Sequence, residues 1–329
     1  MPLDQFGRQI NYLRISVTDH CNLRCLYCMP VKDLTFAPRE QLLTPEEIGT
    51  VAQAAARVGF RKVRLTGGEP TLRTDLVEIV RQIASVEGID DLGMTTNAIL
   101  LPGLAADLAQ AGLKRINVHV DTLNPERLKR LMRFGTAEQI QAGIDAAEAA
   151  GLKPIKINAV VARDHNDADV VDLARLTLDK PWDVRFIELM PFGRGECATF
   201  SLAQYVPSAE TRQRITEALG PLESIPATNP SDEARYFKLE GAVGLLGFIS
   251  PVSEPYCDDC NRMRLTADGR FHLCLLNDDE LDVKTALRNG GGVEAVTDIL
   301  LRAVAGKPTG HRLAEGISPE ERRMFQIGG

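Results

Sequence analysis

The residues best suited to unusual chemistry are three cysteines near the start of the chain. Cys21, Cys25 and Cys28 lie in the segment TDHCNLRCLYCMP and form a C-x3-C-x2-C run. On a helix this spacing would place all three on one buried face, as small core residues. The polar residues around them and the following Pro30 argue against a long helix. A structural zinc ion requires four ligands, whereas three thiolates can hold a [4Fe–4S] cluster and leave one iron open.

A second group of three cysteines lies in the last quarter of the chain. Cys257, Cys260 and Cys274 have the spacing C-x2-C-x13-C. His272 is a conceivable fourth ligand, so a zinc site is the alternative to a second open cluster. Two incomplete sets of thiols in one chain rarely arise by accident, which favours a shared purpose.

Two arginines lie between the cysteines of the second group. Arg262 and Arg264 fall on a predicted strand, where alternation places both side chains on one face as a fork for an anionic group. The alternative is a solvated basic stripe. Their position beside a predicted metal site favours a phosphate-binding role.

Alternating strands and helices must position these residues. Helices between apolar strands predict parallel pairing through right-handed crossovers, in an open sheet or an incomplete barrel. The predicted strands span 12–17, 62–66, 91–96, 115–120, 155–161 and 184–190, and the predicted helices span 44–59, 75–85, 103–112, 136–151 and 166–178.

Polar motifs follow these strands, at the rim where parallel α/β folds bind ligands. The glycines of TGGEP would let a ligand approach the backbone closely, and Glu69 adds a carboxylate. TGGEP is not a G-x-G-x-x-G fingerprint, so it does not indicate a dinucleotide site. The motifs are Cys21, TGGEP (66–70), TTN (95–97), HVD (119–121), VARDHN (161–166) and LMPFGRG (189–195).

The character of the sequence changes after residue 225. A Pro- and Ser-rich segment predicts a linker, and a predicted strand pair, a hairpin around Asp268 and Gly269 and a helix near 293–305 follow it. We therefore expect a barrel domain at 1–225 and an extension at 226–329.

The composition limits the class of protein. The chain has 329 residues, a net charge of −7 and a pI of about 5.4, which argues against a general nucleic-acid-binding protein. No apolar run is long enough to span a membrane, and the first residues do not form a signal peptide. We expect a cytoplasmic protein, where clustered cysteines bind metals more often than they form disulfides.

The first cysteine run, followed by TGGEP, resembles the radical S-adenosylmethionine (SAM) superfamily. The resemblance implies that the open iron chelates the amino and carboxylate groups of SAM. One electron from the cluster then cleaves SAM to methionine and a 5′-deoxyadenosyl radical, which removes a hydrogen atom from the substrate. No catalytic side chain is assigned, because the radical comes from SAM.

Both cysteine groups, NRMRLTADG, FIELMPFGRG and the terminal Gly328-Gly329 together resemble the GTP 3′,8-cyclase family, over residues 8–329. This implies an incomplete (βα)6 TIM-type barrel whose open side the C-terminal extension closes. A second [4Fe–4S] cluster would bind the guanine base through its open iron. The product would be (8S)-3′,8-cyclo-7,8-dihydroguanosine 5′-triphosphate, in the first step of molybdenum cofactor biosynthesis.

The same resemblance implies the partners and the binding residues. The partners are an external electron donor and a downstream cyclic pyranopterin monophosphate synthase, and the family allows a homodimer. The tail, Gly328 and Gly329, would reach into the active site. The family usually has Ser where this chain has His119. The implied SAM positions are Tyr27, Gly68, His119 and Met190, and the implied GTP positions are Arg14, Lys62, Arg64, Thr95, Lys156, Arg262, Met263 and Arg264.

Two other functions compete with this interpretation. A radical SAM enzyme that acts on a peptide would usually carry more C-terminal cysteines, and would lack NRMR and the Gly-Gly end. A non-catalytic metal or electron-transfer module would leave the polar motifs after the six strands unexplained.

Overall fold

One continuous sheet runs through the molecule. The computed structural model describes residues 2–32, 34–192, 195–226 and 231–328. The strands within these residues are β1 (Tyr12–Ser16), β2 (Lys62–Thr66), β3 (Asp91–Thr96), β4 (Arg115–His119), β5 (Lys156–Val161), β6 (Asp183–Glu188), β7 (Leu222–Ile225), β8 (Arg235–Leu239), β9 (Leu245–Ile249), β10 (Arg262–Leu265), β11 (Arg270–His272) and β12 (Glu280–Asp282). Their order across the sheet is β12-β11-β10-β1-β2-β3-β4-β5-β6-β9-β8-β7.

The middle of this sheet is parallel. The strands from β10 through β1 to β6 and on to β9 pair in parallel, whereas β11 and β12 at one edge and β8 and β7 at the other are antiparallel. Among the described residues the two edges do not pair with each other, so the sheet is an incomplete TIM-type barrel. The six predicted strands and their parallel pairing are confirmed, as is the hairpin that joins β10 to β11.

Helices on the crossover connections cover one face of the sheet. The helix predicted at 44–59 begins with the expected capping box, in which Thr44 and Glu47 exchange hydrogen bonds. Five helices in the described residues were not predicted from the sequence: Pro125–Met132, Glu196–Ala203, Ser208–Leu219, Lys284–Arg288 and Met324–Ile327. No helix in the described ranges is both long enough and apolar enough to cross a membrane. The helices are α1 (Pro45–Arg57), α2 (Leu76–Ala84), α3 (Ala105–Gln110), α4 (Pro125–Met132), α5 (Ala137–Ala149), α6 (Val170–Asp179), α7 (Glu196–Ala203), α8 (Ser208–Leu219), α9 (Lys284–Arg288), α10 (Gly292–Ala305) and α11 (Met324–Ile327).

The two faces of the parallel strands differ in polarity. Leu13 and Ile15 of β1 are fully buried in the main hydrophobic core, as are Val63 and Leu65 of β2. Successive side chains of a strand point to opposite faces. The residues between these apolar ones are polar or basic on both strands, so the face away from the core is the one that can bind a charged ligand.

The extension lies against both edges of the parallel sheet. β9 continues the sheet from β6, and β10 continues it from β1. Between β7 and β8, Glu233 makes ion pairs with Arg262 of β10 and with Arg185 of β6. The Glu233 side chain therefore connects β10 and β6, two strands that do not pair with each other in the described sheet.

Candidate functional site

The first cysteine group lies in the loop after β1. Cys21, Cys25 and Cys28 line one cavity of about 230 Å³, and their segment contains no helix beyond a single turn. Burial raises the pKa of the Cys21 thiol to about 12 and that of Cys28 well above its usual range. Cys21 and Cys28 therefore hold their protons at neutral pH, and iron binding must release them. Three thiols that share one cavity fit a cluster with three protein ligands.

The glycines of TGGEP lie directly against the cysteine loop. The Gly68 N–H donates to the carbonyl of Thr18 at 2.6 Å, and the Glu69 N–H donates to that of His20 at 2.7 Å. A Cβ atom on Gly68 would lie only 2.3 Å from the His20 carbonyl oxygen. Only glycine permits this approach, so TGGEP sets the position of the cysteine loop relative to β2.

Glu69 organises the rim rather than offering a free carboxylate. It is 1% exposed, and its two oxygens accept hydrogen bonds from Thr71, Thr96 and the Asn97 backbone N–H. These contacts tie the loop after β2 to the end of β3.

A Gly68→Ala substitution tests this close packing. The added methyl group must displace backbone, so we expect a loss of about 1–3 kcal/mol in unfolding free energy, as for overpacked cores. We also expect less iron per chain after anaerobic reconstitution, because the cysteine loop moves. Gly103→Ala is the control, since a methyl group on Gly103 would have nothing within 4 Å. Equal Tm and iron content in the two variants would contradict the proposed packing.

Two predicted SAM residues meet at a buried aspartate. The Tyr27 hydroxyl donates to Asp121 Oδ2 at 2.6 Å, and His119 Nε2 lies 2.8 Å from that hydroxyl and 3.1 Å from the carboxylate. Burial alone would lower the pKa of His119, but the Asp121 charge raises it well above its usual range. The HVD motif after β4 was predicted to lie at the rim, but Asp121 itself had no predicted role. In the structure, Asp121 fixes the two side chains that line the first cavity.

The second cysteine group lines a smaller cavity, of about 70 Å³. Cys257, Cys260 and Cys274 all line this cavity, and His311 and Lys307 are among its other lining residues. Burial by itself would raise the pKa of Cys257, but hydrogen bonds with His311 lower that pKa below its usual value. The common cavity fits a second cluster with three protein ligands.

The alternative zinc ligand does not line this cavity. His272 is fully buried, and its Nδ1 lies 3.1 Å from Glu280 on β12. Within the described part of the chain, no three His, Cys, Asp or Glu side chains have the arrangement of a single-ion site. A cubane has a different requirement, because its thiolates bind separate irons.

An N-terminal arginine holds the loop of the second cysteine group. Arg8 donates from Nη1 to the carbonyls of Cys257 at 2.8 Å and Thr309 at 2.6 Å, and from Nη2 to that of Pro308 at 2.6 Å. Asp4 neutralises its charge at 2.6 Å. Arg8 therefore connects the loop that contains Cys257 to the segment at Pro308 and Thr309.

The two cavities adjoin each other. Met190, Tyr256, Arg264 and Leu275 line both of them. The two groups of cysteines, which are more than 200 positions apart in the sequence, therefore face one connected space. A single small molecule between them could contact a group bound at either end.

The predicted basic residues lie on strands, as the sequence predicted for Arg262 and Arg264. Arg264, Arg14 and Arg64 are register partners on β10, β1 and β2, and Arg262 and Lys62 lie two residues earlier, as register partners of Tyr12. Side-chain alternation brings them to the polar face. The cysteine loop and TGGEP follow the carboxyl ends of these strands. The basic side chains therefore line the barrel interior below the rim that those two loops form.

Three other predicted GTP residues occupy different surroundings. Lys156 pairs with Asp183 at 2.7 Å. Met263 is fully buried and its register partner is Leu13, so its side chain belongs to the apolar face. Thr95 lines the first cavity.

Several buried polar atoms on the barrel interior have no hydrogen-bond partner in the described residues. They include Oγ1 of Thr95, Oδ1 of Asn117, Nη1 of Arg64 and Nε of Arg262. An unsatisfied buried polar group is costly, so these atoms fit a polar ligand in the space between them.

Further polar residues on the same face of neighbouring strands were missed from the sequence. Arg185 of β6 donates to Asn158 of β5 at 2.9 Å, and Asn158 and Asn117 line the first cavity. The period-2 alternation of polar and apolar residues in these strands was the available signal.

The C-terminal tail reaches this interior. The Gly328 carbonyl accepts a hydrogen bond from Arg264 Nη1 at 2.6 Å. Gly328 has a φ of +84°, and a Cβ atom on it would lie 2.5 Å from Thr66. Gly329, the other predicted tail residue, lies outside the described residues, as do residues 193–194 of the LMPFGRG motif.

Known proteins resemble the chain along its whole length. Residues 15–177 match the Radical SAM superfamily, and residues 182–313 match the family described as Molybdenum Cofactor Synthesis C. The GTP 3′,8-cyclase of Pelotomaculum thermopropionicum is 46% identical, and that of Moorella thermoacetica is 45% identical. Each alignment covers 99% of this chain and 99% of the relative.

One solved structure supports the fold at low sequence identity. Streptococcus suis SuiB bound to S-adenosylmethionine has a TM-score of 0.57 and 15% identity, over 92% of this chain and 65% of that one. This similarity concerns the fold alone.

Proposed function

Because this chain belongs to the GTP 3′,8-cyclase family of the radical SAM superfamily, we propose that it converts GTP to (8S)-3′,8-cyclo-7,8-dihydroguanosine 5′-triphosphate, the first step of molybdenum cofactor biosynthesis. Family membership implies SAM and one [4Fe–4S] cluster. The observation that carries the proposal for this chain is the pair of cysteine groups facing adjoining cavities.

The residues of the first cavity bind and orient the radical source. Cys21, Cys25 and Cys28 would hold the first cluster, which together with SAM would supply the radical chemistry at C3′ of GTP. Gly68 packs directly against the cysteine loop, where a Cβ atom would lie 2.3 Å from the His20 carbonyl oxygen. Asp121 holds the Tyr27 hydroxyl in one position.

The residues of the second cavity bind and orient the substrate. We assign Cys257, Cys260 and Cys274 as the residues that would hold a second [4Fe–4S] cluster, which would bind the guanine base. A triphosphate carries about four negative charges, so a protein with a net charge of −7 needs a local basic site to bind it. The arginines of the barrel interior supply that site, and Arg14 and Arg264 among them line the first cavity.

The decisive test is an assay of the product. Enzyme reconstituted anaerobically with iron and sulfide is incubated with GTP, SAM and dithionite, and the products are identified by mass spectrometry. We expect 5′-deoxyadenosine and the cyclised nucleotide, and about eight irons per chain if both clusters form. Cleavage of SAM without a cyclised nucleotide would favour the peptide-modifying alternative. Two zinc ions and no sulfide would contradict both enzyme interpretations.

An Arg264→Ala variant tests the assignment of the basic face to GTP. Arg264 is 6% exposed, and losing one charged hydrogen bond costs about 1.5–3 kcal/mol. We therefore expect GTP to bind roughly 10- to 150-fold more weakly, with little change for SAM. Equilibrium dialysis with each ligand measures the two affinities. The control is Arg235→Ala, which removes an exposed arginine of β8.

Equal weakening of GTP and SAM by Arg264→Ala would contradict this division of the site. So would an effect of the same size in the Arg235 variant.

The remaining parts of the proposal concern organisation and partners. We propose an external electron donor, a cytoplasmic location and a downstream cyclic pyranopterin monophosphate synthase that consumes the product. The division into domains at 1–225 and 226–329 and a homodimer are also proposals. Limited proteolysis and sedimentation of the reconstituted enzyme test these last two.

A further inference from the structure

A carboxylate occupies the arginine-lined part of the barrel interior. Glu233 Oε2 lies 2.9 Å from Arg262 Nη2, and its Oε1 lies 3.8 Å from Arg185 Nη1. The Glu233 side chain is 15% exposed and lines the same cavity as Arg14 and Arg264. It comes from the extension, just before β8. Arg262 and Arg264 on β10 also belong to the extension, whereas Arg14 and Arg185 lie on barrel strands.

The arginines around this carboxylate keep it charged. Burial by itself would raise the pKa of Glu233, but Arg262, Arg185, Arg14 and Arg64 together hold it well below its usual range. The carboxylate is therefore an anion at neutral pH. It makes its closest ion pair where a phosphate was expected from the sequence.

The same arginines repel one another. Burial, followed by the nearby charge of Arg14, lowers the pKa of Arg264 to about 9. One carboxylate does not neutralise several guanidinium groups in a partly desolvated space. The cluster therefore retains an excess of positive charge that a polyanion would neutralise further.

We propose that Glu233 is an internal substitute for a phosphate group, which neutralises the arginine cluster in the free enzyme and gives up its position when a polyphosphate binds. This inference rests on the proposed function, because it names the residue that opposes triphosphate binding at that site. Opposite charges at ion-pair distance attract more strongly in a partly desolvated space than in water. A phosphate and the Glu233 carboxylate therefore compete for Arg262.

Arg262 stays oriented when the carboxylate moves away. Its guanidinium group lies 5.1 Å from the centre of the Tyr256 ring, and its Nη2 also donates to the Ser231 carbonyl at 2.6 Å. The ring contact comes from a different segment than Glu233 does. A phosphate can thus replace the Glu233 carboxylate without a change in the position of the Arg262 guanidinium group.

Competition makes Glu233 a determinant of selectivity. A ligand with several negative charges outweighs the lost carboxylate contact, whereas a ligand with one or two charges gains less than it displaces. We expect the wild-type protein to favour triphosphate over monophosphate nucleotides for this reason, and a neutral residue at position 233 to reduce that preference.

A Glu233→Gln variant tests the inference with inorganic tripolyphosphate and GTP as probes, by isothermal titration of the reconstituted enzyme. We expect about tenfold tighter binding of tripolyphosphate, a smaller ratio between GTP and GMP affinity, and a lower Tm without ligand. Glu240→Gln is the control, because Glu240 is an exposed residue of the same segment. Unchanged or weaker tripolyphosphate binding by Glu233→Gln would overturn the inference. That result is the one expected if the carboxylate has a purely structural or metal-bridging role.

A second variant guards against misfolding. Glu233→Asp keeps the charge but withdraws it from Arg262, so we expect an intermediate gain in tripolyphosphate affinity, and no gain would again contradict the inference. The two proposals fail separately. Tighter tripolyphosphate binding by a protein that cannot cyclise GTP refutes only the proposed function. Normal cyclisation with unchanged affinity in the Glu233 variants refutes only the inference.

Discussion

A Cys25→Ala variant is expected to lose all detectable cleavage of SAM. Cys25 is the middle thiol of the first group and is 8% exposed, in the wall of the cavity that it shares with Cys21 and Cys28. Two thiols cannot hold a cluster that needs three protein ligands, so the electron source for SAM is lost. The measurement is 5′-deoxyadenosine formed per chain with dithionite, by chromatography, together with iron content.

Cys197→Ala is the matched control for this variant. Cys197 lies on α7, is about as buried as Cys25 and lines a cavity together with Cys28 and Tyr27. No role was predicted for this thiol from the sequence. If three thiols suffice, Cys197→Ala retains its iron and its SAM cleavage. Loss of both would mean that a fourth thiol takes part, and would contradict the open iron on which SAM binding depends.

A Cys260→Ala variant is expected to separate SAM cleavage from cyclisation. Cys260 belongs to the second group, whose cavity meets the first across Arg264 and Met190. Without the second cluster, the guanine base loses its anchor while the first cysteine loop is untouched. We expect iron to fall from about eight to about four per chain, with 5′-deoxyadenosine still formed but no cyclised nucleotide.

An exposed neighbour provides the control for the second cluster. Asp259 precedes Cys260 in the same loop and is exposed, so Asp259→Asn should leave both the iron content and the cyclised product unchanged. If Cys260→Ala still cyclised GTP at the normal rate, the assignment of the second cluster would be wrong, although the first would stand.

Local signals in the sequence predicted the parts of the fold that depend on neighbouring residues. The capping box of Thr44 and Glu47 marked the start of α1, and Asp268-Gly269 marked the turn between β10 and β11. At least one of the helices that were not predicted also carries such a signal. Asn124 caps α4 and Pro125 follows it at the first helical position.

The candidate site was predictable where one short segment carries the chemistry. Each cysteine spacing, with the polar residues around it, predicts a set of metal ligands, and the glycines of TGGEP predicted the close backbone approach that Gly68 makes. Residues such as Asp121 and Arg185 are different, because their significance depends on a partner that another strand or loop supplies.

The sequence alone predicted metal chemistry at the two cysteine groups, because closely spaced thiols in a polar segment are typical of ligand sets, and it predicted the six parallel strands in their order along the chain. Only the tertiary structure decided which side chains share a space. It placed β10 beside β1, turned His272 towards Glu280 and away from the cysteines, and brought Glu233 between Arg262 and Arg185. Contacts between residues far apart in sequence depend on strand order and on the direction of each side chain, and neither is encoded within any one segment.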